Sequence, residues 1–142
     1  MTSTAQVTWI GPGLRVVGEA NDGPAIVVDH AMPPKDRPDT GPAPMELMLI
    51  SLAGCTAMDV VSILKKKRQL FSGLQVKASA EQAEEHPRVY TQIHLEYVVT
   101  GADVKPEAVE RSIELSVTTY CPASAMLSRT AEITTSYRIV VE

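Results

Sequence analysis

The chain has 142 residues, a net charge of −4 and 44% hydrophobic residues. This length predicts a single domain over 1–142 with a moderate core, and the negative charge gives no general attraction to nucleic acid or to an anionic membrane. Met1–Gln6 lacks the basic and apolar regions of a signal peptide, so we expect a cytoplasmic protein. In the cytoplasm two cysteines seldom form a structural disulfide, which favours a catalytic or redox role.

The N-terminal region has the pattern of a small antiparallel sheet. Val7–Ile10 is a short apolar run, and Leu14–Glu19 and Ala25–Asp29 have the composition of strands. Asn21-Asp22-Gly23 between the last two is a strong hairpin signal, because asparagine and glycine tolerate the positive φ angles of a tight turn. We therefore predict an antiparallel sheet over Thr4–Asp29, with an irregular surface loop as the alternative.

A proline-rich segment, Ala31–Pro44, follows the predicted sheet. Its five prolines exclude a helix or a central strand. One interpretation is a solvated connector between two elements. The other is a rigid loop over the mouth of the next helix, from which Arg37 could reach inward.

Gly41–Arg68 predicts one long helix around which the remaining elements are organised. Prolines suit its first turn, and the basic run Lys65–Arg68 suits the negative end of the helix dipole. Apolar residues lie on every face, which is typical of a helix buried on all sides. Upstream of the basic run, the side chains with a reactive or ionisable group are those of Glu46, Cys55 and Asp59. The two carboxylates favour a soluble core helix over a membrane span.

The second half of the chain predicts a hairpin, two helices and a last strand. Strands are expected over Leu74–Glu84, Val89–Thr100 and Ile133–Val141, and the middle one alternates with a period of two, so that one face packs. A helix with one apolar stripe follows the hairpin and breaks at Cys121, which precedes a proline. Pro122 then begins a short third helix with Cys121 at its N-cap. This order of elements predicts an α+β fold.

Cys55 and Cys121 are the candidate nucleophiles. A buried cysteine is commonly a small apolar core residue, which is the alternative interpretation of Cys55. A metal site requires three or four ligands at suitable spacing, and neither cysteine has another cysteine or a histidine nearby in the sequence, so a metal site is not favoured. His94 lies on the polar face of a predicted strand and is interpreted as a surface residue.

Attack by a cysteine requires its thiolate form. Cys55 lies about ten residues, roughly 15 Å, into its helix, whereas the helix dipole acts within the first turn. By that criterion Cys121, at a helix start, is better placed. Activation of Cys55 therefore requires a positive side chain, and an arginine held by a carboxylate would supply one. Arg15 and Arg37 are the candidate arginines, and Glu46 is the candidate carboxylate.

Two cysteine motifs give the chain a family resemblance. Gly41–Asp59 resembles the P-x-E-L-L…L-x-G-C-T signature of the OsmC/Ohr family, the osmotically inducible and organic hydroperoxide resistance proteins, and Tyr120-Cys121-Pro122 is similar to that family's second motif. The resemblance extends over nearly the whole chain and is closest to a less-characterised OsmC-like branch. Met45 occupies the place of the glutamate in the family's N-P-E segment, and Glu46 follows it. Gly13-Leu14-Arg15 is the nearest match to the turn that carries the family's arginine.

The resemblance implies an OsmC-like fold, in which antiparallel sheets surround a long buried helix and two chains form an intertwined homodimer. It implies a peroxidase that uses no cofactor and no metal, with Cys55, Cys121, Glu46 and Arg15 as catalytic residues. Cys55 would attack an organic hydroperoxide and become a sulfenic acid, and Cys121 would condense with it to a disulfide. A dithiol reductant, lipoyl-type or small, would then restore both thiols.

Two other functions stay open at this point. The first is a non-catalytic dimer that binds an apolar ligand or senses redox state through its cysteines. The second is nucleic-acid binding through Lys65–Arg68. That run is more simply the solvated end of a helix, so we expect neither nucleic acid nor a membrane as a partner.

Overall fold

The computed structural model describes residues 2–21, 23–35 and 37–142. The chain divides into two compact units, Met1–Met48 and Leu49–Glu142, and each is described by itself. Asp22, the central residue of the predicted Asn21-Asp22-Gly23 turn, lies outside the described residues.

The first unit contains a three-stranded antiparallel sheet of β1 (Ala5–Trp9), β2 (Val16–Ala20) and β3 (Ala25–Val28), in that order. The predicted N-terminal sheet is therefore confirmed. Asn21 has a φ of 50°, the left-handed conformation that a tight turn favours and that asparagine tolerates. The described residues of Ala31–Ala43 form neither helix nor strand, as their prolines require.

The long helix α1 covers Pro44–Lys66. One stripe of it is buried at a spacing of four residues, namely Leu52, Thr56, Val60 and Leu64. Ile50 and Met58 are 55% and 77% exposed, so the prediction of a helix buried on every face is wrong for the single chain. The helix is also long and apolar enough to cross a membrane, a property that core helices of soluble proteins share.

The second unit contains a sheet in the order β4 (Gly73–Gln82), β5 (Tyr90–Gly101) and β6 (Glu132–Val141). β4 pairs with β5 in the antiparallel direction, whereas β6 runs parallel to β5. Because helices connect β5 to β6, the chain can return in the same direction before it pairs. This sheet is therefore mixed, and the prediction of antiparallel sheets fails at this one pair.

The central strand β5 forms much of the core. It buries the alternating side chains of Ile93, Leu95, Tyr97 and Val99, which confirms the predicted packed face. Tyr90 is also buried, although the alternation places it on the polar face. The cause is a register shift between Glu81 and Gln82 of the neighbouring strand, since a bulge changes which side chains face each other.

Two helices separated by an irregular turn connect β5 to β6. α2 covers Pro106–Leu115 and α3 covers Pro122–Leu127, and residues Ser116–Tyr120 between them form a π-helical turn. Cys121 follows this turn in an extended conformation with φ −83° and ψ 105°. The predicted helix break at Cys121 and the helix that begins at Pro122 are both confirmed.

Candidate active site

The fold of the second unit brings the two cysteines together. Cys55 lies in the middle of α1, and Cys121 lies at the break between α2 and α3. The two Sγ atoms and a carboxylate oxygen of Asp59 all lie within 4.8 Å of one another. Both thiols are free, and Cys55 is half-buried whereas Cys121 is only 3% exposed. The sequence predicted both nucleophile candidates, and their proximity makes a dithiol pair.

The surroundings of Cys121 keep it protonated. Burial, together with the hydrogen bond with Cys55, raises the pKa of its thiol to about 11. The backbone N–H of Ser124 donates to Cys121 Sγ at 3.3 Å and acts in the opposite direction. The predicted position of Cys121 at a helix start is confirmed, but it does not favour the thiolate there, because loss of hydration outweighs one donor from the helix.

Asp59 is a site residue that the sequence predictions did not include. It lies four residues after Cys55 on α1, so both side chains share one face of the helix. Ser116 Oγ donates a hydrogen bond of 2.9 Å to Asp59 Oδ2. The spacing of four residues from Cys55 was the one signal in the sequence that could have identified Asp59. Ser116 and Cys121 reach this face of the helix only through the tertiary fold.

A chain of buried hydroxyl groups holds Asp59 in place. Thr56 Oγ1 lies 2.7 Å from Ser116 Oγ and 2.8 Å from the Tyr97 hydroxyl, and these three residues are fully buried. Because Ser116 gives its proton to the carboxylate, Thr56 donates to Ser116 and Tyr97 donates to Thr56. Burial raises the pKa of Tyr97 to about 12, so Tyr97 stays a neutral donor. Each hydroxyl group therefore donates toward Asp59.

We expect Thr56→Val to destabilise the protein because it interrupts this chain without changing the volume of the side chain. Tyr97 would lose its acceptor and Ser116 its donor, and a buried polar group without a partner costs about 1–3 kcal/mol. Urea unfolding should show a loss of this size in the free energy of unfolding. Thr135→Val, at an exposed threonine of β6, is the matched control and should cost little. Equal effects of the two substitutions would contradict a stabilising role of the hydrogen-bonded hydroxyl groups.

In the first unit one carboxylate, Asp29, binds both candidate arginines. Arg37 makes a bidentate pair with it, with Nη1 at 2.6 Å from Oδ2 and Nη2 at 2.9 Å from Oδ1. Arg15 Nε lies 3.5 Å from Oδ2 of the same carboxylate. The Arg37 guanidinium, together with the donors of Thr40, holds the pKa of Asp29 well below its usual range. Asp29 therefore fixes the orientation of two positive charges.

Glu46 has a different partner within the chain. Its Oε1 accepts a hydrogen bond of 2.9 Å from the backbone N–H of Ala43, which satisfies a donor at the start of α1. The carboxylate that pairs with Arg15 and Arg37 is Asp29, which the sequence predictions missed. A catalytic role of Glu46 stays a prediction.

A cleft of about 540 Å³ adjoins the cysteine cluster. It is lined by Asp59, Ser62, Ile63, Lys66, Lys67, Leu115 and Tyr120. The lining combines apolar side chains with two lysines. A small organic molecule with a polar group could occupy this space beside Asp59.

His94 has a structural environment, as its surface interpretation predicts. Its Nδ1 lies 2.7 Å from Thr134 Oγ1, and its Nε2 lies 2.8 Å from Ser136 Oγ. Both partners belong to the neighbouring strand β6. The imidazole therefore links two strands of the sheet.

Comparison with known proteins gives consistent matches over the whole chain. Residues 37–136 match the family described as OsmC-like protein. Protein YhfA of Escherichia coli strain K12 is 42% identical over 136 residues, which cover 96% of this chain and 97% of YhfA. The curated name of that relative describes no activity.

Solved structures match the fold closely. A hypothetical protein from Aquifex aeolicus superposes with a TM-score of 0.86 at 27% identity, covering 100% of this chain and 98% of that one. An organic hydroperoxide resistance protein OsmC from Legionella pneumophila superposes with a TM-score of 0.69 at 15% identity, covering 99% and 98% of the two chains. At that low identity the second likeness concerns the fold alone.

Proposed function

Because this chain belongs to the OsmC-like protein family, we propose that it is a thiol-dependent peroxidase that reduces organic hydroperoxides. The family includes organic hydroperoxide resistance proteins. The observation that carries the proposal is the pair of free thiols, Cys55 and Cys121, whose Sγ atoms lie within 4.8 Å of each other. A pair this close can form a disulfide after a small movement.

The proposed reaction has three steps. The Cys55 thiolate attacks the terminal oxygen of the hydroperoxide, so that an S–O bond forms and the O–O bond breaks. The departing alkoxide takes a proton from solvent and leaves as the alcohol. Cys121 then attacks the sulfur of the sulfenic acid, an S–S bond forms and water leaves. A dithiol reductant reduces the disulfide by thiol–disulfide exchange and is itself oxidised. A cytoplasmic location would keep the resting thiols reduced.

The environments of the two cysteines support these proposed roles. Cys55 is the more exposed of the two thiols, so a peroxide can reach it first. The raised pKa of Cys121 keeps its proton in place, so that its S–H can donate a hydrogen bond to the Cys55 sulfur. Arg15 and Arg37 are the candidates for an additional positive charge, and Arg15 is the one that the family resemblance favours.

The cleft beside Asp59 supports an organic substrate. Ile63 and Leu115 give it apolar lining that an alkyl chain can contact, and Lys66 and Lys67 can attract a carboxylate. Hydrogen peroxide would gain little from either feature. Alkyl or fatty hydroperoxides are therefore the proposed substrates.

Peptide mapping after oxidation is the direct test. The reduced protein is treated with one equivalent of an alkyl hydroperoxide and analysed by intact mass and by peptide mapping without reduction. We expect a Cys55–Cys121 disulfide in the same chain and one equivalent of the alcohol. Two unmodified thiols after this treatment would instead favour the alternative, a non-catalytic dimer that binds an apolar ligand.

We also propose that the protein is a homodimer whose second chain covers the exposed faces of α1. The helix is apolar all round, but the single chain buries one stripe of it. Ile50 and Met58 would otherwise present large apolar side chains to water. A second copy of the same helix offers a surface of the same chemistry, as a twofold interface requires.

A further inference from the structure

We propose that Cys55, Asp59 and Cys121 form a reversible Zn²⁺ site when both thiols are reduced. Their three ligand atoms lie within 4.8 Å of one another. In a tetrahedral site with Zn–S bonds of about 2.3 Å, ligand atoms lie roughly 3.8 Å apart. Small side-chain rotations would therefore bring the three atoms around one ion.

The backbone supports such a site from two rigid elements. Cys55 and Asp59 are four residues apart on α1, a spacing at which two side chains of a helix can bind one ion. Cys121 comes from the break before α3, where the Ser124 N–H fixes its sulfur. The ligands thus approach the ion from two directions, as a tetrahedral arrangement requires.

Asp59 also has the outer partner that metal-bound carboxylates usually have. Ser116 holds its Oδ2 at 2.9 Å, and Thr56 and Tyr97 hold Ser116 in turn. The orientation of the carboxylate is therefore fixed before the ion arrives.

The donor set selects the ion. Two thiolates and one carboxylate carry three negative charges, and thiolate ligands favour Zn²⁺ over the hard cations Mg²⁺ and Ca²⁺. Binding releases the two thiol protons to solvent and changes no oxidation state. Water can occupy the fourth position from the cleft that Asp59 lines, which gives a site that exchanges its ion rather than a closed structural one.

The proposed consequence is a link between the zinc ion and the redox state of the pair. A disulfide has no thiolate to offer, so oxidation of Cys55 and Cys121 would release the ion. Bound zinc would in turn hold both sulfurs and slow their reaction with peroxide. This consequence rests on the proposed peroxidase function, whereas zinc binding by the reduced protein does not.

The test is a competition titration without peroxide. The reduced protein is titrated with Zn²⁺ against a chromogenic chelator, and we expect one ion per chain. Cys55→Ser and Cys121→Ser should each abolish competition, and Asp59→Asn should weaken binding about 10-fold or more. Asp103→Asn, which changes an exposed aspartate outside the cluster, is the matched control and should bind as the unchanged protein does.

Cobalt substitution gives a second readout that does not depend on affinity. Co²⁺ in the site should show thiolate-to-metal charge-transfer absorption, which Cys55→Ser should lose. The absence of this absorption, failure of the unchanged protein to compete, or equal binding by Asp59→Asn and Asp103→Asn would each overturn the proposal. A Cys55–Cys121 disulfide formed by a protein that binds no zinc would overturn the metal site alone. Zinc binding without disulfide formation would overturn the peroxidase alone.

Discussion

Cys55→Ser is expected to reduce organic hydroperoxide turnover to background, a loss of roughly 10³-fold or more. A serine hydroxyl at this position would be neutral at physiological pH and cannot form a sulfenic acid. Serine is close to cysteine in size, so the hydrogen bonds of Thr56 and Asp59 beside it should stay intact. The measurement is consumption of cumene hydroperoxide with a dithiol reductant in excess.

Cys121→Ser is the matched comparison, because it removes the other thiol of the pair by the same chemical change. This variant should still react with one equivalent of peroxide and accumulate a Cys55 sulfenic acid that a dimedone reagent traps. Its multiple-turnover rate with a dithiol should fall, since no intramolecular disulfide can form. If Cys55→Ser keeps the activity, or if Cys121→Ser leaves Cys55 unreactive, the assigned roles are wrong.

The sequence alone was sufficient to predict the order of helices and strands and to identify the two cysteines as candidate nucleophiles. Period-two alternation identified β5, and the proline after Cys121 identified the helix break, because both are local properties of the backbone. The same local reasoning missed the parallel pairing of β6 with β5. Pairing direction depends on the path of the intervening helices and not on the strand itself.

The environment of each site residue could not be predicted in the same way. The pKa of Cys121 is set mainly by burial, which depends on residues distant in sequence. Asp29 and Asp59 became important only when the fold placed Arg37 beside the first and Ser116 beside the second. In both cases the aspartate could be identified in the sequence, but the residue that the fold places beside it could not.

Helix α1 shows a different limit of the sequence. Its all-round apolar composition predicts that every face is covered in the folded protein. Composition does not say whether that cover comes from the same chain or from another one. The single chain covers the stripe of Leu52 and Val60 and leaves Met58 exposed, and this exposure is the observation behind the proposed homodimer.

Met58→Glu is expected to convert the proposed dimer into monomers. Met58 is 77% exposed in the single chain, so a glutamate there should leave the folded monomer nearly unchanged in stability. Burying its charge without a partner at an interface costs about 3 kcal/mol or more, which is roughly 100-fold in the dissociation constant. Sedimentation equilibrium of both proteins over a range of concentrations measures this shift directly.

The matched control for that substitution is Leu70→Glu, which places the same charge at an apolar side chain that is 78% exposed but lies beyond α1. It should leave the dimer intact, because the proposed interface is built on the helix. If Leu70→Glu also loses the dimer, the interface is not confined to α1. If the unchanged protein sediments as a monomer at all concentrations, the homodimer proposal is wrong. The Cys55–Cys121 pair within one chain would still support the proposed peroxidase.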